Sequence, residues 1–349
     1  MAVRARPYNP AERVSPVAES KRLLVLTRER AGAPFRQRIE PYLAPLAERG
    51  IASEVVELAR SPWARRRQMR RAREFDGVLL HRKTLTAWDG GVLRRAARRL
   101  IYDFDDAVMV QARSPDRPHP GRLRRFARTV KAATLVLAGN PTLADHARSA
   151  GAARIEVIPT GLDAGRFRPK SDYETAYPLR LVWIGSRSTL KQLKPFRPVF
   201  EALGRAMPEV TLRVIADAEL EVPGLTVENV PWTFDAEARL LAESDIGLAP
   251  LPDTAQARGK CGFKVVQYMA AGLPVVASPV GVNADYVEDG RTGFWAETVE
   301  EWVEAVRSLA GDAALRGEMG RAGRRRAETE FDFAVLAPLV CDLVEEALR

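Results

Sequence analysis

Two lysines, Lys260 and Lys264, flank Gly262 and can bring positive charge to a ligand at that turn; the alternative is that one of them only decorates a helix start. Gly262 has no side chain to hold backbone N–H groups away from a ligand. The following segment, Lys264–Ala271, has helical character, with Val265, Tyr268 and Met269 able to share one face. A helix start of this kind favours an anion, because its first N–H groups are unpaired and its dipole is positive there. Cys261 and Phe263 complete the turn. Cys261 and Cys341 are the only cysteines and no Cys/His spacing suits zinc, so Cys261 reads as a small residue that fits the turn. Gln267 brings an amide that can hydrogen-bond a hydroxyl but carries no charge. After Gly272, a helix stop, Leu273–Ala277 reads as a strand buried between helices. The whole run, GKCGFKVVQYMAAGLPVVASPVGVNADYVEDGRTG from Gly259 to Gly293, suits the diphosphate of a nucleotide sugar.

Such a donor leaves as a nucleoside diphosphate, so a site must stabilise charge developing on its phosphates, and cations and fixed N–H dipoles meet that need. A second turn, Gly185–Ser186, follows an apolar strand and precedes Arg187 and Lys191. Elsewhere, YDFDDAV (Tyr102–Val108) would put Asp103 and Asp105 on one face of a strand, as a metal-binding carboxylate pair requires. That reading needs a single-domain metal-dependent enzyme; two successive βα series argue against it, and no metal is expected. Asp105 and Asp106 then read either as groups that orient an acceptor hydroxyl or as ordinary helix caps. His81, at the end of a strand, reads as an acceptor contact or as a structural histidine.

The elements that must position these residues come in two βα series. Strands are expected at Lys21–Thr27, Glu54–Leu58, Gly77–Leu80, Leu100–Phe104 and Leu135–Ala138. After a polar, irregular stretch from Gly161 to Pro178, strands recur at Leu179–Ile184, Thr211–Ala216, Leu225–Asn229, Ile246–Pro250 and Leu273–Ala277, with helices at Phe196–Met207, Asp235–Ser244 and Lys264–Ala271. Repeated βα units imply parallel, doubly wound sheets that bind ligands at their carboxyl edges.

In order and spacing, the Gly259–Gly293 run and the segments LVWIGSRSTLKQLK (Leu181–Lys194), NPTLADHA (Asn140–Ala147), VIPTGLDAGRF (Val157–Phe167) and DIGLAPLPD (Asp245–Asp253) resemble the retaining glycosyltransferases of family 4, which have the GT-B fold. The resemblance implies an α/β architecture of two facing doubly wound Rossmann-like domains with a cleft between them. The implied division is an N-terminal extension over 1–20, an acceptor-binding domain over 21–165, a connection over 166–178, a nucleotide-sugar-binding domain over 179–330 and a final helix over 331–349 that packs back on the first domain. The implied donor site is Gly185, Ser186, Arg187, Lys191, Lys260, Cys261, Gly262, Phe263, Lys264 and Gln267, with Lys191 matching the lysine that holds the diphosphate; Arg36 and His81 fall on the acceptor side. Where the family usually has two glutamates eight positions apart, this chain has Gly259 and Gln267. Sequences with a GKCxFK turn and a glutamine before YMA resemble a subgroup. The implied reaction moves a sugar, with retention, from a UDP- or GDP-linked donor to a saccharide or lipid-linked acceptor, without a cofactor. Asp105 and Asp106 are its candidate catalytic carboxylates. Two other readings share the fold: a non-catalytic glycosyltransferase-like module, and a nucleotide-sugar epimerase, for which no constellation of acids and histidine is evident. Donor turnover separates the three.

Composition narrows the partners. At 349 residues and 46% hydrophobic the chain can bury two cores. It has no segment of about eighteen uninterrupted apolar residues and no signal-peptide core in its first twenty, so it is expected in the cytoplasm. The net charge of +9 is unevenly spread: residues 1–170 hold 35 Lys and Arg against 17 Asp and Glu, and the remainder 19 against 28. No nucleic-acid module is present. The arginine-rich helix around Arg65–Arg73, beside Trp63, points to an anionic membrane surface and peripheral attachment at its inner face; a solvated helix face is the alternative.

Overall fold

The structure, a computed structural model, describes residues 20–111, 113–174 and 178–349. The expected N-terminal extension therefore lies, except for Ser20, outside the described residues.

Two six-stranded, all-parallel sheets organise the chain. The first contains β1 (Lys21–Thr27), β2 (Ile51–Glu57), β3 (Gly77–His81) and β4 (Leu100–Phe104). A two-stranded antiparallel hairpin follows, β5 (Val110–Gln111) and β6 (Ser114–Pro118), before β7 (Leu135–Ala138) and β8 (Ile155–Val157) complete the sheet in the order β2-β1-β3-β4-β7-β8. The second contains β9 (Arg180–Ile184), β10 (Thr211–Ala216), β11 (Thr226–Pro231), β12 (Ile246–Ala249), β13 (Val275–Ala277) and β14 (Gly293–Trp295), in the order β11-β10-β9-β12-β13-β14. GVLLH of β3 and LIYDF of β4 are buried along their whole length, as central parallel strands covered by helices on both faces must be.

The strand orders locate the ligand edges. In the first sheet the direction of winding reverses between β1 and β3, and in the second between β9 and β12. Ligands of open α/β sheets sit outside the carboxyl ends of the strands at such switch points. Both edges open into the space between the domains.

Two chain segments cross between the domains side by side. Leu162 N–H donates to Phe331 O (3.0 Å) and Phe333 N–H to Leu162 O (2.9 Å), while Asp332 accepts from Ala164 N–H and caps the last helix, Phe333–Ala347. That helix buries Leu336, Val340, Cys341 and Val344 among Leu23, Val25, Phe35, Ile39 and Tyr42 of the first domain.

Differences from the sequence expectation fall at element ends and in very short strands. β2 begins at Ile51, β13 only after Pro274, which has no N–H to give the ladder, and β8 and β14 are three residues each. The expected alternation of Asp103 and Asp105 on one strand face does not hold, because β4 ends at Phe104. Asp103 is buried, its Oδ2 2.5 Å from Arg38 Nη2, and Arg38 also donates to Ile158 O. It ties the first helix to β4 and to the exit from the first sheet. Asp105 lies in the loop beyond.

Candidate active site

A cleft of about 670 Å³ lies between the two switch points. One wall comes from the first domain: Arg36 and Gln37 of the first helix, Arg82 after β3, and Asp105 and Asp106 after β4. The other comes from Trp183, Ile184, Gly185 and Ser186 at the end of β9, Ala249–Leu251 after β12, and the turn Lys260–Lys264 with Gln267.

The turn is built around Gly262, which caps the helix Phe263–Ala270 in the left-handed region at φ 58°. A β-carbon there would be strained and would also come within 2.8 Å of the Tyr286 ring. The first N–H groups of the helix have no intrahelical acceptor, so their positive end faces the cleft. Lys264, in the first turn of that helix, is half-buried, with Nζ 5.1 Å from the centre of the Trp183 ring. Among the described residues no carboxylate pairs with it. Burial pushes its pKa down to about 8, and the Lys260 charge adds to the shift. An ammonium so placed is stabilised by an incoming anion.

Lys260 is already engaged, its Nζ lying 3.2 and 3.3 Å from the two carboxylate oxygens of Asp106. Arg82 holds Asp105 through Nε (3.1 Å) and Asp106 through Nη2 (3.1 Å). Its backbone lies at φ 57°, the one left-handed non-glycine residue among those described, with its N–H on Asp103 O. Such a conformation persists only where the surroundings fix it, and it aims Arg82 at both carboxylates. Cys261 is enclosed where the domains meet: Sγ donates to Asp105 O (3.2 Å), and burial pushes the thiol up to about 12, which makes it unreactive. Gly259 lets the same loop approach, since a β-carbon would lie 2.7 Å from that of Ala107.

The expected site residues thus divide. Gly185, Ser186, Lys260, Cys261, Gly262, Phe263, Lys264, Gln267, Asp105, Asp106 and Arg36 line one cleft. Lys191 and Arg187 do not: Lys191 is exposed in the 3-10 turn Lys191–Phe196, whose cleft-lining members are Gln192 and Leu193, and Arg187 Nη2 donates to Asp217 O (3.0 Å). His81 lines a second, adjoining cavity. It is buried, its Nδ1 is 3.1 Å from Thr27 Oγ1, and burial lowers its pKa despite Asp103 nearby. Sequence reasoning missed Trp183, which supplies a ring face to Lys264, and Glu237, a buried lining residue whose carboxylate accepts from Trp232 Nε1 (2.7 Å) and pairs with Arg166 (3.0 Å). Neither has a local signal; Trp183 reads as an ordinary strand residue and Glu237 as a helix surface. Among the described residues no group of three or more His, Cys, Asp or Glu is placed to hold a metal ion.

Residues 178–312 match the family described as glycosyl transferases group 1. Among characterised relatives, the chain is 26% identical over 241 residues to a D-inositol 3-phosphate glycosyltransferase of Arthrobacter sp. (strain FB24), covering 61% of this chain and 55% of that protein. It is 28% identical over 267 residues to the enzyme of the same name from Corynebacterium kroppenstedtii, covering 67% and 58%. The chain thus spans little more than half the length of these relatives. Sucrose-phosphate synthase from Thermosynechococcus elongatus superposes with a TM-score of 0.73 at 16% identity over 93% of this chain and 98% of that one. Anabaena HepE in complex with UDP and glucose gives 0.69 at 18% over 93% and 100%. The chain therefore has the GT-B fold, with its glycosyl transferases group 1 match lying in the second of the two domains.

Proposed function

We propose that the protein is a glycosyltransferase that moves a sugar from a nucleotide-sugar donor to an acceptor with retention of configuration. The observation that carries this reading is Lys264: a desolvated ammonium without a carboxylate partner, at a helix start, on the wall of a cleft between two switch points. A diphosphate supplies the missing charge. The donor's base and ribose then lie along β12 and the helix Phe263–Ala270, where Gln267 and Asn283 offer amides to hydroxyls. The bond from the anomeric carbon to the phosphate oxygen breaks, the acceptor oxygen bonds to the same carbon on the same face, and the acceptor's proton passes to the departing phosphate. Lys264 and the helix N–H groups stabilise charge as it grows on the diphosphate, where fixed dipoles are most effective. Asp105 and Asp106, held by Arg82 and Lys260, face the acceptor hydroxyl and orient it. Complexes of the structurally similar HepE with UDP and with UDP-glucose support a uridine donor.

A second reading, a non-catalytic binding module, is favoured by one observation: the space that a glutamate at 259 would need is filled by Ala107. Calorimetry with UDP, GDP and UDP-glucose, with and without chelator, combined with assay of donor turnover, tests both. We expect binding that is unchanged by chelator, and slow release of sugar. Binding without any turnover across acceptors supports the module, and binding that requires manganese or magnesium overturns the metal-free site.

The exposed arginines near Trp63 support peripheral attachment to an anionic membrane surface at its cytoplasmic face. Among the described residues no helix is long and apolar enough to cross a membrane.

A further inference from the structure

A second cavity, of about 1020 Å³, adjoins the cleft and shares Pro34, Arg82 and Asp106 with it. It sits outside the carboxyl ends of β1, β2 and β3, at the switch point of the first sheet. Seven Lys and Arg side chains line it against three acids. Of those cations, Arg28, Arg60, Lys83, Arg122 and Arg125 make no ion pair with a described residue. Of the acids, Asp106 is already paired with Arg82 and Lys260, Glu57 accepts the Arg30 N–H, and Glu29 makes no ion pair with a described residue; against seven cations the lining stays net positive.

The cations come from four separate elements. Arg28 follows β1, Arg60 follows β2, Lys83 follows the left-handed Arg82 after β3, and Arg122 and Arg125 stand on the helix Pro120–Ala132. Lys83 is half-buried, and burial lowers its pKa, with Arg65 adding to the shift. Like charges converging on a cavity repel one another unless an anion enters, so folding alone gives no reason for the arrangement. Arginine forks match phosphate oxygens geometrically, and a phosphomonoester brings about −1.5 to −2 charges at neutral pH.

We infer that this cavity binds a phosphate group carried by the acceptor, which would place an acceptor hydroxyl at the Arg82–Asp106 boundary beside the donor. The inference deepens the transferase reading and rests on it for the word acceptor; the anion site itself does not. One ligand chemistry has two sources here, a soluble phosphomonoester or a lipid with a phosphomonoester head.

The test uses the full chain and the double variant Lys83→Gln, Arg125→Gln, with UDP binding as the check that the variant is folded. Glycerol 3-phosphate, glycerol, phosphatidic acid vesicles and phosphatidylcholine vesicles are titrated in the presence of saturating UDP. The expected result is binding of glycerol 3-phosphate or of phosphatidic acid vesicles, but of neither neutral counterpart. The double variant should weaken it tenfold or more, as loss of charge-assisted hydrogen bonds implies, while UDP affinity changes less than twofold. Preference for the vesicles assigns the lipid source, and preference for glycerol 3-phosphate the soluble one. The inference is overturned if neither phosphate binds, if the double variant binds both as the parent does, or if UDP displaces glycerol 3-phosphate one for one, which would place the phosphate in the donor cleft. Phosphate binding without any UDP binding would retain the anion site and remove the transferase reading.

Discussion

At the scale of single residues, the cleft between the domains stores an unfavourable charge. Lys264 titrates at about 8, against 10.5 for a free lysine, with burial the main cause. Between those values the unfolded chain binds a proton that the folded chain has released, so stability contributed through this residue rises with pH across that window and is lowest below it. Replacing it by an apolar side chain of similar length removes the cost. Lys264→Met is therefore expected to raise the melting temperature, by an amount corresponding to about 1–3 kcal/mol after allowance for partial exposure, while weakening UDP binding at least tenfold. In the parent, UDP affinity should fall as pH rises from 7 through 9, because the free protein loses its proton first. The pH dependence should vanish in Lys264→Met. Lys191→Ala serves as the contrast: the exposed position predicts a smaller loss of affinity than Lys264→Met, and calorimetry that ranks them the other way shifts the diphosphate to Lys191. In the sequence the resemblance points to Lys191 as the diphosphate lysine, and Lys264 reads only as a further charge beside the glycine turn. Each follows a glycine turn, and what separates them is burial and the Trp183 ring: Lys264 is half-buried on the cleft wall, whereas Lys191 is exposed outside it.

At the scale of elements, the turn Gly259–Gly262 carries the contact between domains as well as the helix start. Gly259 reads in the sequence as a lost glutamate, because the partner that forbids a side chain, Ala107, is about 150 positions away. Gly259→Glu therefore does not restore a carboxylate to the cleft. It is expected to push the turn off the Asp105–Ala107 loop, destabilise the protein by about 1–3 kcal/mol as overpacking does, and weaken UDP binding; unchanged thermal stability would show that the loop yields freely. What was legible at this scale followed from strong local pattern. Lys21–Thr27, Leu100–Phe104, Leu135–Ala138 and Thr211–Ala216 have the extents their apolar runs indicate. β8 and β14, at three residues, are too short to show a period, and the β5–β6 hairpin has only proline, arginine and serine to announce it. Asp103 and Asp105 were misplaced for a related reason: the strand ends between them, and Arg38, 65 positions earlier, claims one and not the other.

At the scale of the molecule, charge, aromatic exposure and cavity mouth coincide on the first domain. Trp63 is 78% exposed and Trp88 73%, and Arg66 sits between them, 5.4 Å from one ring and 5.2 Å from the other. The uneven charge of the sequence indicated this face, but not which arginines are free. Arg65 and Arg66 are drawn to Asp89, and Arg71 is bound by both oxygens of Glu54. Arg67, Arg70 and Arg73 are exposed and make no ion pair with a described residue. Rings with a polar edge settle at the interface between water and acyl chains, and each cation near an anionic surface adds about 1 kcal/mol. The lining of the second cavity includes Arg60 and Arg65, which flank the start of the same helix, so a membrane-bound orientation would bring that cavity close to lipid heads. Vesicles containing phosphatidylglycerol should therefore co-sediment the protein at low salt and release it as ionic strength rises, because exposed charges are screened over about 8–10 Å. Trp63→Ala with Trp88→Ala should abolish binding, Arg67→Gln with Arg70→Gln and Arg73→Gln should weaken it about tenfold or more, and Arg71→Gln should cost stability rather than attachment. Equal sedimentation of the tryptophan variant and the parent would make the face a solvated surface and favour a soluble acceptor.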